Sequence, residues 1–175
     1  MIRMKAKQRR ESLLELLEKE TDTISATQLA KLLGVSRQVI VGDIALLRAS
    51  QHDIVSTPKG YIMKSSLQTS AYTARIVCQH SMEETQIELE IIIKHGGIIS
   101  TVEVEHPIYG MLTAPLNIKS QDDITDFMSK VRQSQAELLS SLTDGLHSHL
   151  ISCQSQEDFQ KIKAALKKVG LLYHS

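Results

Sequence analysis

Two short amphipathic helices separated by three residues constrain this chain more than any other feature. The segment Ile24-Ser25-Ala26-Thr27-Gln28-Leu29 is a complete helix start. Ser25 serves as N-cap, Gln28 closes a capping box three residues on, and Ile24 staples onto Leu29. This helix carries Leu29, Ala30, Leu32 and Leu33 and stops at Gly34, a residue suited to the left-handed conformation of a helix C-terminus. The next helix starts at once. Val35 staples onto Ile40, Ser36 caps, and the pattern runs from Arg37 to about Ala49. Its buried side is Ile40, Ile44 and Leu47, at i, i+4 and i+7. A connection of only Gly34-Val35-Ser36 gives the helix-turn-helix geometry.

In such a unit the N-terminal residues of the second helix enter the major groove of DNA. Here those residues are Arg37, Gln38 and Val41. Arginine can pair with guanine, glutamine with adenine, and valine can touch a thymine methyl. Ser36 sits where free helix-start amides and a positive dipole end favour a phosphate. A preceding helix is expected from about Lys5 to Lys19, with Leu13, Leu14, Leu16 and Leu17 as its buried stripe. After the third helix, Ile54–Thr57, the turn Pro58-Lys59-Gly60, and Tyr61–Met63 read as a wing with Lys59 at its tip. Gly42 lies inside the recognition helix, where glycine costs about 1 kcal/mol relative to alanine. Close approach to a DNA backbone and drift at an exposed position are equally good accounts of it.

A net charge of zero argues at first against nucleic acid, but the average hides a split. Residues 1–64 hold 11 Lys+Arg against 7 Asp+Glu, and residues 65–175 hold 9 against 13. A basic first third and an acidic remainder suit two domains with different partners, and weigh against a purely protein-binding helical module. No apolar run approaches the roughly 20 residues of a membrane span. The basic start leads into an amphipathic helix rather than a signal core. Cys78 and Cys153 are too few for a disulfide framework. The expected setting is cytoplasmic, with no membrane contact.

The polar, aperiodic stretch 65–70 reads as a linker between a domain at 1–64 and another at 71–175. Beyond it, strands are expected at Tyr72–Gln79, Ile98–Glu105, Leu112–Ile118 and Leu146–Cys153, and helices at Met82–His95, Ser120–Gln135 and Ser155–Val169. The order β-α-β-β-α-β-α predicts a mostly antiparallel sheet with helices on one face, an open-faced sandwich of ferredoxin-like or HPr-like type. The whole chain is then α+β.

The histidines of this second domain form a pattern. His147 and His149 lie two apart in a strand and project from one face. His80 closes the first strand at the mouth of a helix that carries Glu84 and Glu88 at i, i+4. In a βαββαβ arrangement the first and last of these strands are expected near each other inside the sheet, so that His80 approaches the pair. Three imidazoles and a carboxylate suit a divalent first-row metal such as Zn, Ni, Fe or Mn. A His-x-His pair in a strand is also commonly plain polar surface. His106 precedes Pro107 and is either a ligand contact or a turn residue. Cys78 and Cys153 share strand parity with the histidines and are soft ligands or simple packing. His52, His95 and His174 read as surface residues.

The first domain resembles the winged helix-turn-helix of biotin-repressor-like regulators, through Leu29-Ala30-x-x-Leu33-Gly34-Val35-Ser36-Arg37 and Lys59-Gly60-Tyr61. Residues 71–175 resemble the three-histidine regulatory domain of the niacin-responsive repressor family of Gram-positive bacteria and Thermotoga. The matching segments are Val77-Cys78-Gln79-His80, His106-Pro107-Ile108-Tyr109-Gly110, and Leu142-Thr143-Asp144-Gly145-Leu146-His147-Ser148-His149. The resemblance implies a repressor of niacin uptake or synthesis genes, with nicotinic acid as corepressor. It also implies a metal on His80, Glu88, His147 and His149, with Glu84 the second choice of carboxylate. Candidate effector contacts are His106, Tyr109 and Arg75, although parity sets Arg75 opposite His80. A helix-turn-helix normally works as a symmetric homodimer on a near-palindromic operator. Surplus apolar residues on one helix (Ile87, Ile91, Ile92, Ile93) suggest where subunits meet. The alternative is a metal-dependent regulator or enzyme acting on another small carboxylate. Against a hydrolase, the chain lacks a His-Glu-x-x-His motif. Against a phosphorylated His80, the residues that follow are Ser81-Met82-Glu83-Glu84, which repel a phosphate and suit a cation.

Overall fold

Local capping chemistry sets the N-terminal elements of the computed structural model, which describes residues 5–67 and 72–174. Helix α1 (Ala6–Lys19) is followed by α2 (Ala26–Leu33) and α3 (Arg37–Ala49). Ser25 and Gln28 close the capping box of α2, and Gly34 ends it at φ 64°, a left-handed conformation that a side chain would strain. The Ser36 hydroxyl accepts from the Val39 amide to start α3. Leu13 and Leu17 of α1, Leu29 of α2, and Ile40, Ile44 and Leu47 of α3 meet in one small core. The wing is an antiparallel pair, β1 (Ile54–Thr57) and β2 (Gly60–Met63). Ile24 and Tyr61 exchange backbone hydrogen bonds at 2.9 Å in both directions, which ties the wing to the start of α2.

Contacts divide the chain into two units, Met1–Gln68 and Thr69–Ser175. Of the expected linker at 65–70, Lys64–Ser66 form a 3-10 turn, and residues 68–70 lie outside the described residues. The second unit holds β3 (Tyr72–Gln79), α4 (Thr85–Lys94), β4 (Ile98–His106), β5 (Gly110–Ile118), α5 (Gln121–Gln133), β6 (Leu146–Cys153) and α6 (Gln156–Lys168). The sheet runs β3-β6-β4-β5 with every neighbour antiparallel. The first strand of this domain therefore lies at an edge beside the last. That is the HPr-like order, not the ferredoxin-like one, which would put it inside.

One face of the sheet packs against the helices. Ile76, Cys78, Ile99, Leu116, Ile118 and Ile151 from the strands meet Leu89, Ile92, Ile124, Phe159, Ile162 and Leu166 from the helices. Among the described residues of this unit no helix packs on the opposite face, and Arg75 and Val77 are exposed there on β3. Two local features depart from the pattern read along the chain. The helix expected from Met82 begins as a 3-10 turn, Met82–Glu84, and becomes α-helical only at Thr85. A further 3-10 segment, Leu139–Thr143, fills the stretch before β6 and packs against β4 and β6.

Candidate functional site

The second unit buries three histidines around one carboxylate. Strand alternation on β6 puts His147 and His149 on the helix-covered face, opposite Cys78 and Ile76 of β3. His80 follows β3 directly, so it sits at the end of the same pair of strands. Glu88, one turn into α4, points down into the three rings and is 1% exposed. Its carboxylate lies 2.9 Å from His80 Nε2, 3.2 Å from His147 Nε2 and 3.3 Å from His149 Nε2.

Each ring is oriented from behind by a backbone carbonyl. His80 Nδ1 lies 2.8 Å from the Ser81 oxygen, His147 Nδ1 2.8 Å from that of Gly145, and His149 Nδ1 2.8 Å from that of Thr101. A carbonyl can only accept, so every Nδ1 carries the proton. In the neutral imidazole every Nε2 then presents a lone pair toward Glu88. Among the described residues, the Nε2 atoms of His80 and His149 are buried without a hydrogen-bond partner, despite their closeness to Glu88. Lone pairs converging on a buried carboxylate repel unless a cation stands among them. A carbonyl behind each ring also matches the outer-shell support of metal-bound histidine. The ligand atoms of His80, Glu88 and His147 all fall within 4.8 Å of one another. This donor set fits a divalent first-row cation.

The proton balance of the bare cluster points the same way. Burial opposes charge on His80 and His149, yet Glu88 outweighs it and holds both imidazoles above their ordinary value. Burial would raise Glu88, but the facing histidines hold it well below the usual carboxylate range. Cys78 lies beside the cluster. Burial and the Glu88 charge push its thiol far up, so it packs as a neutral thiol.

Of the two acidic candidates on this helix, the structure brings Glu88 to the histidines and not Glu84. The Glu84 carboxylate accepts from the Ser81 amide at 3.0 Å and the Ser81 hydroxyl at 3.1 Å, closing a capping box. The candidate effector contacts fall elsewhere. Arg75 lies on the helix-free face and pairs with Glu103 at 2.8 Å. His106 and Tyr109 stand at the β4–β5 hairpin tip, where His106 Nδ1 accepts from the Ile108 and Tyr109 amides at 3.2 and 3.3 Å. His106 is thus a turn residue in this structure, and Tyr109 is 74% exposed. Cys153 donates to the Ser155 carbonyl and stays clear of the cluster.

Sequence reasoning missed Gly145. Its carbonyl accepts from both His147 Nδ1 and the His80 amide, the latter at 3.3 Å. The Asp144-Gly145 pair before the strand was the available signal. Also missed was Glu103, 4% exposed on the open face, which accepts from Arg75, Thr101 and Ser148.

In the first unit, Arg37 and Gln38 are exposed at the start of α3 and Val41 is half-buried one turn on. Ser36 caps there, and Lys59 occupies the β1–β2 turn. One ion pair and one set of arginine hydrogen bonds hold this frame. Arg9 binds Asp43 through both Nε and Nη2, with Asp43 3% exposed inside α3. Arg48 donates to the Ile54 carbonyl at 2.8 Å and the Ser56 hydroxyl at 2.7 Å, coupling α3 to the wing. No helix among the described residues is long and apolar enough to cross a membrane.

Known proteins agree with this two-part architecture. Residues 9–62 match an HTH domain, and residues 73–175 match the 3H domain. The "Probable transcription repressor NiaR" of Thermotoga maritima is 36% identical over 165 residues, covering 94% of this chain and 93% of that protein. The "Transcription repressor NadR" of Bacillus subtilis is 36% identical over 166 residues, covering 94% and 92% respectively. These relatives mark the protein as a transcription regulator rather than an enzyme. With its helix-turn-helix domain joined to a 3H domain, the chain belongs to the niacin-responsive repressor family of NiaR and NadR.

Proposed function

We propose that this protein is a homodimeric repressor whose operator affinity is raised by nicotinic acid, through a divalent metal held by His80, Glu88, His147 and His149. The observation that carries the metal is the set of carbonyl-pinned imidazoles whose Nε2 atoms converge on Glu88, two of them with no hydrogen-bond partner. When bound, the metal supplies positive charge and coordination positions for an anionic effector. The chain's own residues orient the rings, exclude water and hold the carboxylate. Ser36, Arg37, Gln38 and Val41 read the operator, and Lys59 meets its backbone. The relatives named as repressors support the direction of control.

The coupling is ordinary linkage. Nicotinate raises DNA affinity by no more than its preference for the DNA-competent dimer over the incompetent one. Operator binding measured with and without nicotinate, in metal and after chelation, tests the proposal. The tightest complex is expected with both present. No response to nicotinate in any metal condition would refute the niacin assignment.

A further inference from the structure

Helix α3 carries a single acid, Asp43, and buries it. A carboxylate on a helix that enters the groove repels phosphate unless cations cover it. Here two do. Arg9 of α1 binds Asp43 through Nε and Nη2, and Arg10 Nη1 stands 3.6 Å from Asp43 Oδ1. Two guanidiniums against one carboxylate leave one positive charge over. That surplus sits on Arg10. The Arg9 side chain is largely covered and directs its donors at Asp43, whereas Arg10 is 30% exposed and lies beyond hydrogen-bond reach of the acid. Arg10 therefore keeps a fork of N–H donors for another acceptor.

Helical periodicity fixes the flank that this charge occupies. Gln38, Gly42, Ala45 and Ala49 follow at i, i+4, i+7 and i+11 and are all exposed, so they form the outward stripe of α3. Asp43 and Arg48 are five residues apart, roughly 140° around the axis. They border the stripe on opposite sides. Arg48 leads to the wing, through the Ile54 carbonyl and the Ser56 hydroxyl. Asp43 leads to α1, through Arg9 and Arg10. Beyond Gln38 the stripe is glycine and alanine, which lets the helix come close to a groove floor. A major groove that admits an α-helix is about 12 Å wide, with a sugar–phosphate backbone along each wall. The wing faces one wall.

With α3 seated as proposed above, we infer that Arg10, drawn to the edge of α3 by Asp43, is a phosphate contact on the groove wall opposite the wing. Such a contact strengthens binding to every sequence alike and carries no base preference. It also gives the buried acid a role besides packing. Asp43 brings a cation from α1 to the edge of the recognition helix and leaves its charge uncompensated.

Fluorescence anisotropy of the full chain on a mixed-sequence duplex of roughly 30 base pairs, about three helical turns, tests this across a salt series. Arg10→Gln should lower the slope of log affinity against log salt by about one per bound protomer. Binding should weaken several-fold at about 0.1 M salt. Arg10→Lys, which keeps the charge, should restore the slope. The loss should add to that of Lys59→Ala, because the two residues serve opposite walls. The urea midpoint of the N-terminal transition should match the parent in both Arg10 variants, since the Arg9 bonds to Asp43 remain. A slope unchanged by Arg10→Gln, whether or not the midpoint falls, would make Arg10 a structural partner of Asp43 and overturn the inference. A lowered slope for Lys59→Ala in the same series would leave the DNA-binding face standing. A slope that stays low in Arg10→Lys also overturns the inference, because charge is the property at issue. A parent chain whose binding ignores salt would remove the seating of α3 and the Arg10 contact together.

Discussion

Gly145 lies so close to His80 that a Cβ on Gly145 would collide with the His80 carbonyl oxygen. Its backbone is also left-handed, at φ 82°. The same residue orients His147 through its carbonyl. Gly145→Ala is therefore expected to displace two of the three histidines without touching a ligand atom. Loss of such outer-shell support typically lowers metal affinity by about 10–100-fold. Competition against a fluorescent chelator measures this. An unchanged metal affinity would remove Gly145 from the positioning role.

The metal-free and metal-loaded proteins should respond to pH in opposite directions. In the bare cluster, His80 and His149 are held above their ordinary value. Their stabilising contribution is full below the unfolded imidazole value of about 6.5 and is lost as pH rises through the raised folded values. Glu88 is held low. Its contribution is present above the unfolded carboxylate value of about 4.3 and is lost as pH falls through the lowered folded value. Thermal stability of the chelated protein should thus peak in the mildly acidic range and decline toward alkaline pH. The loaded protein should gain stability over that alkaline-going range, because ligating imidazoles must be neutral. Scanning calorimetry of both forms decides it, and parallel pH profiles would contradict it.

Asp43 should matter for stability although it faces no ligand. It is buried in α3 with Arg9 bound through two nitrogens and Arg10 at 3.6 Å. Asp43→Ala removes the charged partner of a largely covered guanidinium, at a cost of about 1–3 kcal/mol. Urea unfolding followed on the N-terminal transition of the full chain measures the loss. A shift near zero would mean that Arg9 is fully rehydrated in the variant.

Gly42 has no neighbour within 4 Å of the place a Cβ would take. Gly42→Ala should therefore stabilise the first unit by up to about 1 kcal/mol through helix propensity alone. The same unfolding experiment detects it. Destabilisation would reveal a backbone requirement that the free domain does not show.

In the proposed DNA interface, Gln38→Ala and Lys59→Ala should differ in kind. Loss of a base contact costs about 1–3 kcal/mol and relaxes sequence preference at one position. Loss of a phosphate contact weakens all sequences alike and lowers the salt slope by about one. Operator and random-sequence binding across a salt series separates the two. Equal losses on both DNAs for Gln38→Ala would remove it from base reading.

Much of the first domain was legible along the chain, because caps and short connections are local. Ser25, Gln28, Gly34 and Ser36 act within four residues of themselves, so reading their order is nearly reading their structure. The Arg9–Asp43 pair was not legible, since its partners are 34 residues apart. Strand parity likewise gave His147 and His149 a common face. It did not say whether that face would be covered by helices or open to solvent, and Arg75 and Glu103 meet on the opposite side.

The sequence by itself determined a helix-turn-helix, a β-α-β-β-α-β-α second domain, and a histidine pair on one strand face, since each follows from periodicity and capping over a few residues. Only the tertiary structure decided that Glu88 and not Glu84 meets the histidines, because that depends on where the 3-10 turn yields to α-helix and how α4 rotates against the sheet. It also decided the edge placement of β3 and the carbonyl behind each ring. Those are contacts between residues distant in sequence, set by packing that no local pattern encodes.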